Sequence, residues 1–289
     1  MNISGSTTPF AVLGHPVRHS LSPAMHNASL VSLGIDAVYM AFDVTPDRLA
    51  EVVPAMRDMG FGGINLTVPL KEAAVDIVDG IDSHAKRLGA VNTVEFPANG
   101  IVKGHNTDGY GFLRALAEEF GVDPEGNSVF VLGCGGAGRG VALTCAERGA
   151  RRLLLASRNV DRAKVVGEEA RREFKDCDVE VVASEPSAWS VACRDADIVV
   201  QCTLVGMEPT DDSLLPRDAF REGQVVYDLV YLHPETAFMQ AAREGGARVA
   251  NGLGMLLHQG AKSFEIWTGR KADTDAMRGA LEAAVYGTC

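Results

Sequence analysis

Ser20 and Ser22 stand two residues apart in GHPVRHSLSPAMHN, residues 14–27. In an extended loop, side chains at i and i+2 point the same way, so both hydroxyls can bond one carboxylate. Further along, NLTVPLK (65–71) carries Asn65, Thr67 and Lys71, GAVNT (89–93) carries Asn92, and GHNTDGYGF (104–112) carries Asp108. A lysine, an aspartate and an asparagine near one polyol can hold its hydroxyls and move a proton. Taken singly, each is better explained as a surface salt bridge or a cap. His15, His19 and His26 hint at a metal, but Pro16 and Pro23 prevent one continuous helix face, so local hydrogen bonding is expected and no metal site.

A second chemistry lies in GCGGAGRG, residues 133–140. Gly133, Gly135 and Gly138 fit G-x-G-x-x-G. The first glycine allows a tight turn, the second lets a pyrophosphate approach the backbone, and the third lets helix and strand pack closely. Free amides at the start of the following helix then face the anion. The next strand, RRLLLAS, ends in Ser157-Arg158-Asn159, with Arg162 beyond it. NAD enzymes place a carboxylate there for the ribose 2′-hydroxyl. Here no carboxylate precedes Asp161, and a guanidinium suits a 2′-phosphate through bidentate hydrogen bonds. The spacing selects NADP.

These residues need strand ends and helix starts to hold them, and the chain supplies both. Strands are expected at 10–14, 37–44 and 62–68, with helices from Pro23 (Ser22 as its cap), over 46–59, and from Lys71. AVNTVEF and IVKG read as paired strands across PANG, followed by a helix at 109–120. After the polar joint GVDPEGN (121–127) the alternation restarts. Strands are expected at 128–132, 152–157, 178–183, 197–202 and 224–230, with helices to 148 and over 160–175. Such alternation implies largely parallel sheets covered by helices. The last 35 or so residues are helical with no strand left beside them, and are expected to pack back onto the first domain.

The 289 residues exceed what one core usually serves, so two domains are expected. A net charge of −11 argues against sequence-independent binding to nucleic acid or an acidic membrane surface. Any anion must therefore be met by a local group of donors. The six cysteines (134, 145, 177, 193, 202 and 289) show no C-x-x-C spacing, which favours reduced thiols over zinc or disulfides. MNISGSTTPF has neither a basic region nor an apolar core, so no signal peptide is expected. No apolar run approaches the roughly 20 residues that span a bilayer. A cytoplasmic location follows, with monomer and homodimer both open.

HSLSPAMHN, NLTVPLK, GAVNT, NTDGYGF, GCGGAG, TLVGM, YDLVYLHPET and GLGMLLHQGAKSFEIWTG stand in this order between Gly14 and Gly269. Together they resemble the shikimate dehydrogenase family, NADP-dependent enzymes that reduce 3-dehydroshikimate to shikimate in aromatic amino acid biosynthesis. The resemblance implies an α/β chain of two domains. An N-terminal open, mainly parallel substrate domain spans 1–107, with helices 253–289 returning to it; a Rossmann NADP-binding domain spans 108–252, and a cleft lies between the two. It implies that Lys71 and Asp108 are the catalytic pair, with Lys71 the general acid/base at the C3 oxygen. Ser20 and Ser22 would hold the substrate carboxylate with help from Tyr231, and Thr67, Asn92, Asp108 and Gln259 the ring hydroxyls. Gly133, Gly135, Gly136, Ala137, Gly138, Ser157, Arg158 and Arg162 would hold the NADP phosphates and ribose. Thr203 and Met207 would line the nicotinamide, with Val230 and Gly252 close by.

Three departures from the family pattern are visible: Cys134 for a common alanine, the pair Gln201-Cys202 where asparagine and a small residue are usual, and Asn251 for aspartate. Rival readings are a quinate/shikimate or aminoshikimate dehydrogenase, a methylenetetrahydrofolate dehydrogenase, and a non-catalytic NADP-sensing module. The two serines and Arg158 count against the first, the missing tyrosine-x-x-x-lysine pattern against the second, and the intact Lys71 and Asp108 against the third.

Overall fold

A computed structural model of the chain describes residues 3–287, so Cys289 lies outside the described residues. Two compact units emerge. One runs from the N-terminus to Gly111 and resumes at Leu256; the other is Phe112–Met255.

The first unit alternates β1 (Thr8–Gly14), α1 (Ser22–Ser32), β2 (Ala37–Asp43), α2 (Leu49–Asp58), β3 (Gly63–Leu66) and the single turn α3 (Leu70–Ala73). It continues with β4 (Gly80–Ile81), α4 (Ser83–Leu88), β5 (Thr93–Glu95) and β6 (Lys103–His105), and leaves through α5 (Asp108–Phe120). The sheet order is β2-β1-β3-β5-β6-β4. β1 runs parallel to β2 and β3, whereas β5 is antiparallel to both β3 and β6. Helices cover the apolar face: Leu13, Ile64 and Leu66 of the sheet pack with Leu49 and Val53 of α2. All four residues of β3 are buried, as in a strand covered on both faces. One of them is Asn65, whose amide must therefore find partners inside.

The second unit contains β7 (Ser128–Leu132), α6 (Gly136–Glu147), β8 (Arg152–Ala156), α7 (Val160–Glu173), β9 (Asp178–Val181) and α8 (Pro186–Asp195). β10 (Ile198–Gln201), β11 (Val225–Asp228), α9 (Ala237–Glu244) and β12 (Arg248–Asn251) complete it. All six strands are parallel in the order β12-β11-β10-β7-β8-β9. Chain direction across the sheet reverses between β7 and β10, the point where dinucleotide-binding sheets seat their ligand outside the carboxyl ends of the strands. The chain then enters α10 (Leu253–Thr268) and ends in α11 (Thr274–Tyr286). Within the first unit α11 packs along α1, and the Asp273 backbone N–H donates to Ser29 Oγ at 2.9 Å.

Several local expectations need correction. Ser22 is the first helical residue of α1, not its cap; the cap position is Leu21, with no side-chain bond. The 46–59 segment begins as a 3₁₀ turn, Pro46–Arg48, before α2. The helix expected at Lys71 lasts one α-turn and relaxes into a 3₁₀ turn at Ala74–Asp76. The compact units divide inside α5 and α10, at 111/112 and 255/256, because the first turn of α5 stays with the first unit.

Candidate active site

Lys71 lies on α3, directly after the Val68-Pro69 turn that ends β3, and its carbonyl accepts from Val91 N–H at 2.8 Å. Its Nζ donates to Asp108 Oδ2 at 2.6 Å, with the two side chains 27% and 26% exposed. Asn92 Nδ2 donates to the other oxygen, Asp108 Oδ1, at 2.9 Å and reaches Gln259 Oε1 at 3.4 Å. The orientation of the Asn92 amide is determined, because Thr107 N–H can only donate, and does so to Asn92 Oδ1 at 2.9 Å. A lysine, a carboxylate and two amides thus converge from α3, α5, the approach to β5, and α10. Each Asp108 oxygen keeps a lone pair that can accept from a ligand hydroxyl.

Behind this cluster runs a buried polar chain. Asn65 Nδ2 donates to the Asn92 carbonyl at 3.0 Å and reaches Thr93 Oγ1 and Ser263 Oγ at 3.1 Å each. The carbonyl acceptor fixes that amide too, so Asn65 Oδ1 takes the Tyr39 phenol proton at 2.7 Å. Tyr39 is wholly buried, its phenol pushed well above the usual range by that burial, with the Ser22 hydroxyl as a further partner. Ser22 N–H donates to Ser20 Oγ at 3.3 Å, which brings the two hydroxyls onto one turn. A continuous set of hydrogen bonds therefore joins Tyr39 through Asn65 and Asn92 to Asp108 and Lys71. Thr67 sits where the chain leaves β3, its N–H bonded to Leu13 O at 2.9 Å.

His15 and His26 lie in different surroundings. His26 is buried, stacks on Tyr39 with ring centroids 4.2 Å apart, and is held neutral by burial, with a pKa of about 3. His15 is exposed and pairs with Asp43 at 2.5 Å. Among the described residues no group of three His, Cys, Asp or Glu side chains could hold a metal ion.

His105 precedes the Asn106-Thr107-Asp108 segment and lies between two carboxylates, Asp82 at 3.1 Å from Nδ1 and Glu95 at 3.2 Å from Nε2. Only the imidazolium can donate from both nitrogens. Its pKa is raised above 6.5, chiefly by the Asp82 hydrogen bond and then by Glu95, against the opposing effect of burial. The stabilisation is therefore fully present below the unfolded value of 6.5 and is lost as pH rises through the higher folded value. We expect the melting temperature of the native chain to fall relative to that of His105→Gln between about pH 6 and pH 9. Parallel profiles for the two proteins would mean the clamp contributes nothing.

In the second unit, Gly133 closes β7 with φ +105°, and a Cβ there would lie 2.8 Å from the Thr203 methyl. At Gly138 a Cβ would lie 1.7 Å from Gly133 O, so only hydrogen fits. Gly135 and Gly136 have nothing within 4 Å of such an atom, leaving the backbone open to an approaching group. Gly135 caps α6 with no side chain, so the first amides of a twelve-residue helix are left for a ligand. Asn159 caps α7 by accepting from Asp161 and Arg162 N–H. Among the described residues neither Arg158 nor Arg162 forms a salt bridge, although Arg139, Arg148, Arg152 and Arg172 of this unit all do. An open glycine turn, an uncapped helix start and two uncommitted guanidiniums fit a dinucleotide carrying a 2′-phosphate. Ser157, at the end of β8, is almost wholly buried.

At the carboxyl ends of β10 and β11, Thr203 Oγ1 accepts from Val205 N–H at 3.1 Å and Met207 is 40% exposed. Gly252 N–H donates to the Val230 carbonyl at 3.3 Å, and a Cβ at Gly252 would lie 2.2 Å from Leu229 O. Tyr231 follows Val230 and is partly buried, its phenol raised by that burial. Asn251, the departure noted in the sequence, accepts from Leu253 N–H at 3.1 Å at the start of α10. Sequence reasoning missed Tyr39, Thr93, Thr107 and Ser263. Tyr39 and Thr93 lie on β2 and β5, Thr107 in the link between β6 and α5, and Ser263 one turn beyond Gln259 on α10. The available signal was a polar side chain close in sequence to a candidate site residue, and only for Thr93, Thr107 and Ser263.

Two family models match the chain: "Shikimate dehydrogenase substrate binding domain" over residues 12–94 and "Shikimate 5'-dehydrogenase C-terminal domain" over residues 252–282. The protein named shikimate dehydrogenase (NADP(+)) of Methanopyrus kandleri is 43% identical over 283 residues, covering 97% of each chain. Its namesake of Moorella thermoacetica is 44% identical over 99% of this chain and 96% of its own. Among solved structures, shikimate 5-dehydrogenase of Thermus thermophilus in complex with NADP(H) and shikimate superposes with a TM-score of 0.84 at 40% identity, over 96% of this chain and 99% of that one.

Proposed function

Because the chain belongs to the shikimate dehydrogenase family, we propose that it catalyses the reversible NADPH-dependent reduction of 3-dehydroshikimate to shikimate. The observation that carries this reading is the convergence of Lys71, Asp108, Asn92 and Gln259, a proton-transfer pair flanked by amides suited to a ring bearing several hydroxyls. When bound, NADPH supplies the hydride that reaches C3 of the substrate. Lys71 Nζ stands as the acid that protonates the nascent C3 alkoxide, and in reverse as the base that takes the hydroxyl proton. Asp108 orients the lysine and accepts from a neighbouring ring hydroxyl; Asn92, Thr67 and Gln259 hold the remaining hydroxyls. Ser20 and Ser22, with Tyr231, receive the carboxylate. The amides of Gly135, Gly136, Ala137 and Gly138 take the pyrophosphate, Gly133 makes the tight turn with its own N–H given to Ala156 O at 2.7 Å, and Ser157, Arg158 and Arg162 stand at the ribose phosphate. Thr203, Met207, Val230 and Gly252 shape the nicotinamide pocket.

A net charge of −11 supports action on small molecules rather than nucleic acid, and no described helix is long and apolar enough to cross a membrane. The five described cysteines are free, which supports a cytoplasmic setting. The direct test gives the chain NADP⁺ or NAD⁺ with shikimate or quinate. Rapid turnover of shikimate with NADP⁺ is expected; faster turnover of quinate with NAD⁺ would replace the assignment with a quinate enzyme.

The carboxylate subsite has its own test. Ser20 Oγ accepts from Ser22 N–H and keeps its own proton for an anion. Ser20→Ala should raise KM for shikimate by about 10- to 100-fold and leave kcat nearly unchanged, since the contact is worth about 1.5–3 kcal/mol and is the same in ground and transition states. An unaltered KM in both Ser20→Ala and Ser22→Ala would place the carboxylate elsewhere.

A further inference from the structure

Two buried polar side chains at the carboxyl ends of β10 and β11 have no part in the assignments above. Gln201 and Asp228 are both wholly inaccessible to solvent. The Gln201 amide can be oriented without ambiguity. Thr203 N–H can only donate and meets Gln201 Oε1, while the Val205 carbonyl can only accept and lies 2.8 Å from Nε2. The second Nε2 proton goes to Asp228 Oδ1 at 3.1 Å. That same oxygen accepts from Val230 N–H at 3.0 Å, and Oδ2 accepts from the Thr236 hydroxyl at 2.7 Å. Burial pushes this carboxyl up to about 6, and the partners it has are hydrogen-bond donors.

The consequence is mechanical. One buried amide pins the turn Thr203–Val205 at two backbone points, and one carboxylate oxygen ties that amide to the backbone of Val230. The turn would otherwise be loose, since Leu204 at its tip is 78% exposed. Its Thr203 methyl lies against the position of Gly133, at the point where chain direction in the sheet reverses. Ligands of such sheets sit there.

We infer that Gln201, braced by Asp228, is a positioning residue for the nicotinamide half of the cofactor, holding Thr203–Val205 and Val230 as one rigid wall while touching no ligand itself. The inference rests on the NADP reading above. It gives a function to the position at which glutamine stands for the asparagine usual in the family.

The test compares Gln201→Met, which keeps length but makes no hydrogen bond, and Gln201→Glu, which can accept from Thr203 but cannot donate to Val205 or Asp228. Thr236→Val serves as a control, since it removes the bond to the far oxygen of Asp228 and the α9 cap at Met239 N–H, while Thr236 makes no hydrogen bond to Thr203–Val205. Binding of NADP⁺ and of adenosine 2′,5′-bisphosphate, which lacks the nicotinamide half, is measured by calorimetry on the full chain, with thermal melts alongside. Both Gln201 variants should bind NADP⁺ about 5- to 30-fold more weakly, the loss of one or two buried hydrogen bonds, and bind the bisphosphate within about twofold of the native chain. Equal weakening of both ligands, unchanged NADP⁺ affinity in either folded variant, or the same loss in Thr236→Val would overturn the inference. If the native chain bound neither ligand, the cofactor reading itself would fall.

Discussion

Lys71→Ala should lose kcat by at least about 100-fold, and by as much as about 10⁴-fold, while KM for shikimate moves far less. The expectation follows from where the amine sits. Its Nζ is held 2.6 Å from Asp108 on a short turn whose backbone is itself locked to Val91, so the group is placed before substrate arrives. Hydride cannot leave C3 cheaply unless the hydroxyl proton leaves with it, and a positioned acid/base typically contributes about 10²- to 10⁴-fold. Binding suffers less because Asn92, Gln259 and the serine pair remain. Asp108→Asn should also lose activity: the lysine loses its partner charge, and the amide that replaces the carboxylate would set an NH₂ against either Lys71 or Asn92 Nδ2. A folded Lys71→Ala that binds NADP⁺ and turns over at near-native rate would reduce Lys71 to a surface salt bridge. The same result in Asp108→Asn would remove the pair from the mechanism.

Much of this arrangement is written in local signals, and the remainder is not local at all. β7 and its glycine turn are visible because five buried residues, mostly apolar, precede a G-x-G-x-x-G spacing whose steric reason is borne by two atoms, Gly133 O and the missing Cβ of Gly138. α8 buries only Trp189, Ala192 and Cys193 of its ten residues, and β12 is only four residues of weak alternation, so neither stands out from the flanking polar segments. Ser22 misleads as a cap because Ser and Pro together look like a helix start, yet the helix has already begun at Ser22 itself. The chemistry divides in the same way. Residue types at 71, 92 and 108 suggest proton transfer, but their meeting depends on β3 pairing with β5 in a register that sets Asn65 opposite Thr93. That register also explains why Tyr39, Thr93, Thr107 and Ser263 escape a linear reading. Each is a buried polar group whose only justification is another buried polar group many residues away.

Cofactor choice should prove equally sensitive to one side chain. NADP⁺ is expected to be strongly preferred over NAD⁺, and Arg158→Asp should erase most of that preference, through a loss of about 10- to 100-fold in affinity for NADP⁺ alone. The position is the end of β8, the second strand of the dinucleotide-binding half, where a carboxylate would instead select the 2′-hydroxyl. Arg158 forms no salt bridge among the described residues, unlike other arginines of its unit, so its guanidinium needs no internal ion pair broken before it can take a phosphate. Asn159 meanwhile is committed to capping α7 and cannot compete. Arg162 lies in the first turn of that helix, where a cation is unfavourable next to the helix N-terminus. Its placement there is consistent with a phosphate that neutralises it, and Arg158→Asp combined with Arg162→Ala should weaken NADP⁺ binding further than either change alone. The aspartate would also repel the 2′-phosphate while offering an acceptor to a 2′-hydroxyl, so NAD⁺ turnover should hold or rise. Steady-state kcat/KM for both cofactors, at one ionic strength, is the measurement. Equal use of NADP⁺ and NAD⁺ by the native chain, or an unchanged ratio in Arg158→Asp, would place the phosphate contact on other residues.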